Sequence, residues 1–463
     1  MLRDSLTFVK DIYDAVSRSD TAFLDLEHRI QVRVKSHRTG GKINFISCTD
    51  GSSFSPCQVV YDESADVSEE TFRKIVTGAT VECVGRILVT PKAKQMFDFV
   101  ANSIILIGDV SDDYPLQKTR IGFEKLREIP HLRPRTNTFE AIFKIRSALS
   151  IAIHRFFQMR GFQYVTPPLI TANDAEGAGE AFIVTTRSDA DYEADFFGKK
   201  ACLTVSGQLH VEPYALAFGN VYSFGPTFRA ENSNTPYHAS EFWMIEPEIA
   251  SGDLFDNMNL IEDMIKYCIN YVLQETNDEM AFLNQFVDET HSLIQDLKKA
   301  ASSKFKVFTY DQAIEYLSKA DRSFEYPVYW GVDLKSEHER YLCEEVAQGP
   351  VFIINYPKEI KAFYMRLNDD MKTVAACDLL VPGVGELIGG SQREERYDVL
   401  IQRMREMEIP IEPLKWYVDL RRYGTMVHSG FGIGLERMML YLTRIGNIRD
   451  TIPYPRTPRN CRF

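Results

Sequence analysis

Between residues 29 and 107 the chain alternates apolar and polar positions in five short runs, at 29–34, 42–47, 57–61, 80–89 and 97–107. Alternation with a period of two sends successive side chains to opposite faces and marks half-buried strands. Gly40-Gly41, Asp50-Gly51 and Pro91 punctuate the runs with turn chemistry. A helical stretch at 69–76 separates the third run from the fourth. Five strands with one helix in that place predict a small β-barrel and fit the OB-fold arrangement. Ahead of them, residues 1–20 read as a short amphipathic lead-in helix.

The segment 111–135 is polar and rich in charge and proline, and it predicts a hinge between domains. The period then changes. Phe139, Ile142, Phe143, Ile145, Leu149, Ile153 and Phe157 recur at helical spacing. That helix is expected to stop at Gly161, with a strand over 162–167. Residues 253–317 read as mainly helical. Strands around 201–249, 351–390 and 426–433 are expected to form an antiparallel sheet covered by helices. The chain is therefore expected to be an α+β protein with a barrel domain at 1–110, a hinge at 111–135 and a second domain at 136–463.

A chain of 463 residues suits two or three domains, and 44% hydrophobic with 25% charged residues is an ordinary globular balance. No apolar run is long enough to span a bilayer. Residues 1–20 lack the apolar core and small-residue cleavage site of a secretory signal. The eight cysteines include no C-x-x-C pair, so neither a zinc site nor a disulfide framework is indicated. Reduced thiols and a cytoplasmic location are the expectation. The net charge of -12 excludes a promiscuous polyanion binder, but 53 Lys and Arg residues are enough for a local basic face.

Chemistry concentrates in two stretches. In Gly225-Pro226-Thr227-Phe228-Arg229-Ala230-Glu231, followed by His238, Glu241 and Phe242, an Arg and a Glu stand two residues apart on a strand-like apolar run. They would share a face, and each needs a partner. A ligand carrying both a phosphate or carboxylate and an amino group supplies them. In Gly430-Phe431-Gly432-Ile433-Gly434-Leu435-Glu436-Arg437 a glycine-rich strand enters a helix whose first turn carries a second Arg. Two arginines on separate elements, each beside a carboxylate, point to a nucleoside triphosphate held without a Walker loop. A dinucleotide-binding reading of these glycines fails, because no acidic ribose ligand about twenty residues on fits a βαβ unit.

These stretches resemble motifs 2 and 3 of the class II aminoacyl-tRNA synthetases, and the resemblance extends over nearly the whole chain. The helix and strand at 138–167 are similar to motif 1, which in that class forms the dimer interface; an ordinary surface helix is the other reading. The runs Glu241-Phe242-Trp243-Met244-Ile245-Glu246-Pro247-Glu248, Lys361-Ala362-Phe363-Tyr364-Met365-Arg366 and Gly389-Gly390-Ser391-Gln392-Arg393-Glu394-Glu395-Arg396 look like the asparaginyl family more than its aspartyl sister.

The resemblance implies a reaction and a set of roles. ATP and L-asparagine would give an adenylate, whose acyl group passes to the 3′ end of tRNA(Asn). Arg229 would bridge the α-phosphate and the attacking carboxylate, and Arg437 would hold the γ-phosphate; both are catalytic in this reading. Glu231 would accept from the adenine amino group, Phe242 would stack on the ring, and His238 would touch the β,γ-phosphates. Gly434 and Glu436 belong to the same ATP site. Glu386 matches the ligand of a Mg²⁺ ion, with Asp378 as a second ligand through water; a helix or turn cap explains Asp378 equally well. Glu176, Gln208, Glu212, Arg229 and Arg393 would hold the amino acid. The aspartyl family has a Lys where this chain has Val211, and Glu212 beside it would accept from an amide and repel a carboxylate.

Tyr237 stands where the family usually has an Arg. In the barrel, Phe45 and Gln58 match positions that stack on and read an anticodon base, although a Phe on a barrel strand is more often core. The implied partners are ATP, L-asparagine, tRNA(Asn) and a second copy of the chain, with no membrane. Two competing readings are an aspartyl-tRNA synthetase of relaxed tRNA specificity and a non-catalytic RNA-binding relative. Val211 and Glu212 argue against the first, and the retained Arg229, Arg393 and Arg437 argue against the second.

Overall fold

The computed structural model describes residues 6–91, 95–117, 119, 121–173 and 181–463. The chain divides into two compact units, Met1–Ala141 and Ile142–Phe463. In the first unit, β1 (Glu27–Gly40), β2 (Ile43–Thr49), β3 (Cys57–Asp62), β4 (Thr80–Val89) and β5 (Phe97–Gly108) close into a barrel in the order β1-β2-β3-β5-β4. The helix Glu69–Lys74 lies between β3 and β4, and Ser68 caps it by accepting from the Thr71 N–H. The lead-in helix is Val9–Arg18, and its Val9 and Ile12 join Ile30, Val32, Ile46, Val59, Val81 and Phe99 in the barrel core. Gly85 permits closure: a Cβ there would fall 2.8 Å from the Ala101 Cα on β5. The expected hinge at 111–135 is not wholly irregular. It contains the helix Phe123–Glu128 and a 3₁₀ turn at Arg133–Arg135.

The second unit carries the long helix Asn137–Met159, which begins in the first unit's last residues. It is followed by β6 (Gln163–Tyr164), β7 (Ile170–Thr171), β8 (Ile183–Val184), β9 (Ala201–Leu203), β10 (Val221–Phe228), β11 (Glu241–Ala250), β12 (Lys306–Thr309), β13 (Val351–Pro357), β14 (Thr373–Val381), β15 (Gly385–Gln392) and β16 (His428–Gly434). Eight of these form one sheet in the order β12-β13-β14-β15-β16-β11-β10-β6. Its centre is antiparallel as expected, but β12 and β6 pair in parallel at its two edges. The region at 201–203 is not part of it: β9 joins β7 and β8 in a separate three-stranded sheet. The expected strand over 162–167 shrinks to two residues, because Pro167 and Pro168 have no N–H to extend a ladder.

Helices Leu254–Glu275, Asn277–Phe286, Leu293–Ser302 and Tyr310–Ser318 account for most of the helical stretch expected at 253–317. The first opens on Asp253, whose carboxylate accepts from the N–H groups of Phe255 and Asp256. Its Asn257 side chain donates to the Gly430 carbonyl at 2.9 Å, tying the helix to β16. Among the described residues no helix is long and apolar enough to cross a membrane.

Candidate active site

The middle strands of the large sheet are short of side chains on one face, and a cleft opens there. Gly389 on β15 pairs with Gly432 on β16, and Gly434 pairs with Met244 on β11. The cleft has two lobes. One is lined by Arg229, Glu231, Tyr237, His238, Phe242, Glu386, Gly434, Glu436 and Arg437, among others. The other is lined by Gln208, Arg229, Glu246, Lys361, Tyr364, Asp378, Glu386 and Arg393, among others. Arg229, Met244, Glu386, Gly389 and Gly432 belong to both and mark the junction.

The structure thus brings every residue expected at the ATP site into the first lobe, though three arrive differently from expectation. The apolar run ends as a strand at Phe228, so Arg229 and Glu231 lie just beyond β10 rather than on it. The Arg229 backbone N–H still donates to the Ser240 carbonyl at 3.0 Å, which holds the residue against β11. Its guanidinium sits 5.5 Å from the Phe242 ring centre. Glu436 lines the lobe, but its carboxylate is a strut: Arg146 Nη2 donates to one oxygen at 2.7 Å and the Trp243 N–H to the other at 3.0 Å.

Arg437 is in the first turn of the helix Leu435–Thr443, as expected, and its Nη1 donates to the Glu386 carbonyl at 2.9 Å. Burial lowers the His238 pKa, and the nearby charges of Arg437 and Arg229 lower it further, against the pull of Glu231. Two guanidinium groups, those of Arg229 and Arg437, lining one lobe beside His238 suit it to a polyanion.

At the junction Glu386 Oε1 and Asp378 Oδ1 flank one point: a Cβ added to Gly389 would lie 3.2 Å from the first and 3.7 Å from the second. Asp378 is not a turn cap. It sits within β14 and accepts from Lys361 Nζ at 2.5 Å. Burial raises its pKa, Lys361 opposes that rise, and Glu386 adds to it. Glu339 lies beside them and accepts the Glu386 backbone N–H at 3.0 Å; burial and then the Glu386 charge push its carboxyl up to about 8. This crowding of hard oxygen donors around the space left by Gly389 fits a Mg²⁺ ion. Among the described residues no group of three or more His, Cys, Asp or Glu side chains is placed to hold a metal ion by itself.

The second lobe rests on buried charge. Arg393 donates to Glu248 through Nε at 3.1 Å and Nη2 at 2.5 Å, and to Ser391 Oγ through Nη1 at 2.8 Å. Gly430, opposite Glu248 in the register, leaves the space this carboxylate fills. Burial works against the charged guanidinium, yet Glu248 and then Glu212 raise its pKa above the ordinary value. Glu246 is the other buried acid of β11. It accepts from Ser206 Oγ at 2.5 Å, from the Gly207 N–H at 3.0 Å and from Ser223 Oγ at 3.1 Å, and so fixes the turn that presents Gln208 at the head of the helix Gln208–Phe218.

Glu212 departs from expectation. It is fully buried and does not line the cleft. Its oxygens accept from the Tyr417 hydroxyl at 2.8 and 2.9 Å, from Arg421 Nη2 at 2.9 Å and from Gln208 Nε2 at 3.2 Å, with His428 Nε2 at 3.1 Å. Burial raises its pKa, but Arg421, His428 and Arg393 outweigh burial and hold it well below the ordinary carboxylate range. Glu212 therefore acts on the lobe through Gln208 and through Arg393, whose Nε is 4.0 Å away. Val211 is also buried, in a small cluster with Ala215 and Val221. Glu176 lies outside the described residues.

Sequence reasoning gave no role to Glu246, Glu248, Tyr417, Arg421 or His428. Two acids alternating along the apolar strand Glu241–Ala250 were the available signal for the first two, since alternate residues share a face. The last three are distant in sequence from Glu212 and carried no such mark.

On the barrel, Ile46 and Cys48 of β2 and Cys57 and Val59 of β3 point inward. Alternation then sets Phe45 and Gln58 on the outer face, where Ser47 pairs with Gln58 and Phe45 with Val60. Gln58 Nε2 donates to Asp98 Oδ1 at 2.9 Å, and Arg38 lies 5.7 Å from the Phe45 ring centre. The core alternative for Phe45 does not hold.

The family model described as tRNA synthetases class II (D, K and N) matches residues 124–458. An asparagine–tRNA ligase of Desulfitobacterium hafniense (strain Y51) is 54% identical over 99% of this chain and 99% of its own length. One from Mycoplasma capricolum subsp. capricolum is 53% identical over 97% of this chain and 99% of its own. The crystal structure of asparaginyl-tRNA synthetase from Pyrococcus horikoshii complexed with asparaginyl-adenylate is similar with a TM-score of 0.84 and 32% identity, covering 94% of this chain and 96% of that one. With a cleft of two joined lobes on a largely antiparallel sheet, and with relatives that match it from end to end, this chain belongs to the class II tRNA synthetases of the D, K and N group.

Proposed function

We propose that this chain is an asparagine–tRNA ligase that activates L-asparagine with ATP and transfers the asparaginyl group to the 3′ end of tRNA(Asn). The observation that carries this reading is the shared junction: Arg229 borders both lobes. An adenylate needs such a group, because its phosphorus links a nucleotide on one side to an amino-acid carboxylate on the other. Displacement at phosphorus depends on alignment and charge stabilisation more than on proton transfer. The planar fork of Arg229 holds an oxygen of the α-phosphate and one of the incoming carboxylate together. Arg437 and His238 take the β,γ-phosphates, Phe242 and Glu231 the adenine, and Gln208 and Arg393 the amino acid, with Glu176 on its α-amino group.

Glu386 and Asp378 would hold Mg²⁺, which when bound offsets the negative charge of the phosphate oxygens. Arg393 uses three of its five N–H groups on Glu248 and Ser391. The remaining two would be the donors for a substrate side-chain carbonyl oxygen.

Phe45 and Gln58, on one outer face of the barrel, read the anticodon, which assigns residues 1–110 to tRNA binding, 111–135 to the link and 136–463 to catalysis. The chain works in the cytoplasm as a homodimer through the helix Asn137–Met159 and the strand after it. Ile151 and Met159, 48% and 67% exposed, support that face. ATP–pyrophosphate exchange across the twenty amino acids tests the reading. Exchange that depends on asparagine is expected; dependence on aspartate, or on none of the twenty, overturns it.

A further inference from the structure

The helix Lys415–Arg422 touches the cleft only indirectly, yet it supplies two of the groups around Glu212. The arrangement is layered. Arg421 is fully buried; its Nη2 donates to Glu212 at 2.9 Å and its Nε to the Glu394 carbonyl at 2.8 Å, one residue past Arg393. The Tyr417 hydroxyl is shared between both Glu212 oxygens and Arg421 Nη2. His428, whose Nδ1 faces the Met426 carbonyl, closes the ring around the carboxylate. Glu212 in turn reaches the lobe through Gln208 and Arg393.

We propose that Arg421 and Tyr417 are specificity-setting positioning residues: they hold Glu212 as a carboxylate behind Arg393, so that the amino-acid lobe meets an uncharged amide rather than a second carboxylate. The inference rests on the reading of the chain as an asparagine-activating enzyme and deepens it.

The physical reason is charge pairing. Arg393 is already matched by Glu248, Lys361 by Asp378 and Arg421 by Glu212. An aspartate side chain that reaches Arg393 or Lys361 would meet a cation already matched by a carboxylate. An asparagine side chain carries no charge and needs only hydrogen-bond partners, which Gln208 and the remaining N–H groups of Arg393 provide. Unit charges a few ångströms behind the wall act through a low-dielectric medium, so changing one of them is felt in the lobe. Arg421 acts on the lobe through the Glu212 carboxylate it holds, so its removal acts in the same direction as removal of Glu212. A merely structural role would lower activity on both amino acids alike.

The test is the ratio of kcat/KM for asparagine to that for aspartate in pyrophosphate exchange. Glu212→Gln and Arg421→Met are each expected to narrow the ratio by about tenfold, because each removes the positioned Glu212 carboxylate. Arg421→Lys, which keeps the charge, is expected to stay within about twofold of the unaltered enzyme. Tyr417→Phe is expected to raise KM for asparagine more than it lowers kcat, since it loosens the positioning of Glu212 without altering charge. If Arg421→Met does not fold, Glu212→Gln combined with Arg421→Met removes a buried pair together, which cores tolerate better than a lone charge. The double variant is expected to narrow the ratio no further than Glu212→Gln alone, since both changes act through the same carboxylate. A ratio that Arg421→Met leaves unchanged or widens, or losses that add up in the double variant, overturn the inference. An unaltered enzyme with no asparagine-dependent exchange would instead overturn the underlying reading.

Discussion

In the nucleotide lobe Arg437 is 34% exposed and lies 3.8 Å from the nearest Glu386 carboxylate oxygen, which is itself on a side chain 40% exposed. In the amino-acid lobe Arg393 is 3% exposed and grips a Glu248 that is not exposed at all. One lobe leaves cationic groups near solvent, where a triphosphate can complete their pairing. In the other, the buried Arg393 and Lys361 are matched by Glu248 and Asp378 before any ligand arrives. The difference follows from what each must recognise. A triphosphate is selected by its charge, so loosely paired arginines suffice. Asparagine and aspartate have nearly the same shape, and only a lobe whose own charges are settled can separate an NH₂ from an O⁻.

The comparison predicts that mutations in the two lobes fail in different ways. The largest effect is expected at the junction. Arg229→Ala should slow asparagine-dependent pyrophosphate exchange by about 10²–10³, the usual loss for one transition-state donor, with little change in thermal stability. Near-normal exchange in this variant would remove Arg229 from the reaction. Next comes the contrast itself. Glu248→Gln strands the Arg393 guanidinium in the core and should cost about 3–5 kcal/mol in denaturant unfolding. Arg437→Ala should stay within about 0.5 kcal/mol in the same assay while impairing use of ATP. Equal stability losses in the two variants would erase the distinction between the lobes.

Metal removal probes the junction from the ligand side. Chelation should abolish exchange and added Mg²⁺ restore it, and Glu386→Gln should raise the Mg²⁺ concentration needed for half-maximal exchange. An unchanged Mg²⁺ requirement would detach Glu386 from the ion.

The smallest expected effect is a stability control that lines neither lobe. Asp288 accepts from the N–H groups of Thr290, Ser292 and Leu293 and from Arg444 Nη1. Burial raises its pKa, but the Thr290 and Arg444 hydrogen bonds prevail and set it at about 2. A depressed carboxyl stabilises the fold above its unfolded pKa of about 3.9, and that contribution disappears as pH falls through about 2. Asp288→Asn should therefore lose about 2 kcal/mol near neutral pH, with exchange kinetics unchanged, and match the unaltered chain near pH 2. A stability gap that persists at low pH would show packing rather than charge at work.

How much of this was legible in the sequence also divides along the two lobes. The nucleotide lobe is written in contiguous stretches: Arg229, Glu231, His238 and Phe242 in one, and Gly434, Glu436 and Arg437 in another. Residue type and spacing carry such information. The β-barrel was equally readable, because its period-two runs match β1 to β5 closely and need only local pattern. The amino-acid lobe was read less well. Glu212 was expected to meet the substrate directly, whereas its partners Tyr417, Arg421 and His428 lie more than two hundred residues away and draw it behind the wall. No periodicity encodes a buried carboxylate's choice among distant cations. Apolar character also misled at the end of β10, where the ladder with β11 stops at Phe228 opposite Glu241 and leaves Arg229 beyond the strand.

The central claim is that a lobe whose charges are already paired selects the amide. Its most direct test is pyrophosphate exchange by the unaltered enzyme with asparagine and with aspartate under identical conditions. The account predicts a kcat/KM for asparagine higher by about 10⁴ or more. Comparable values for the two amino acids, or a preference for aspartate, would contradict it.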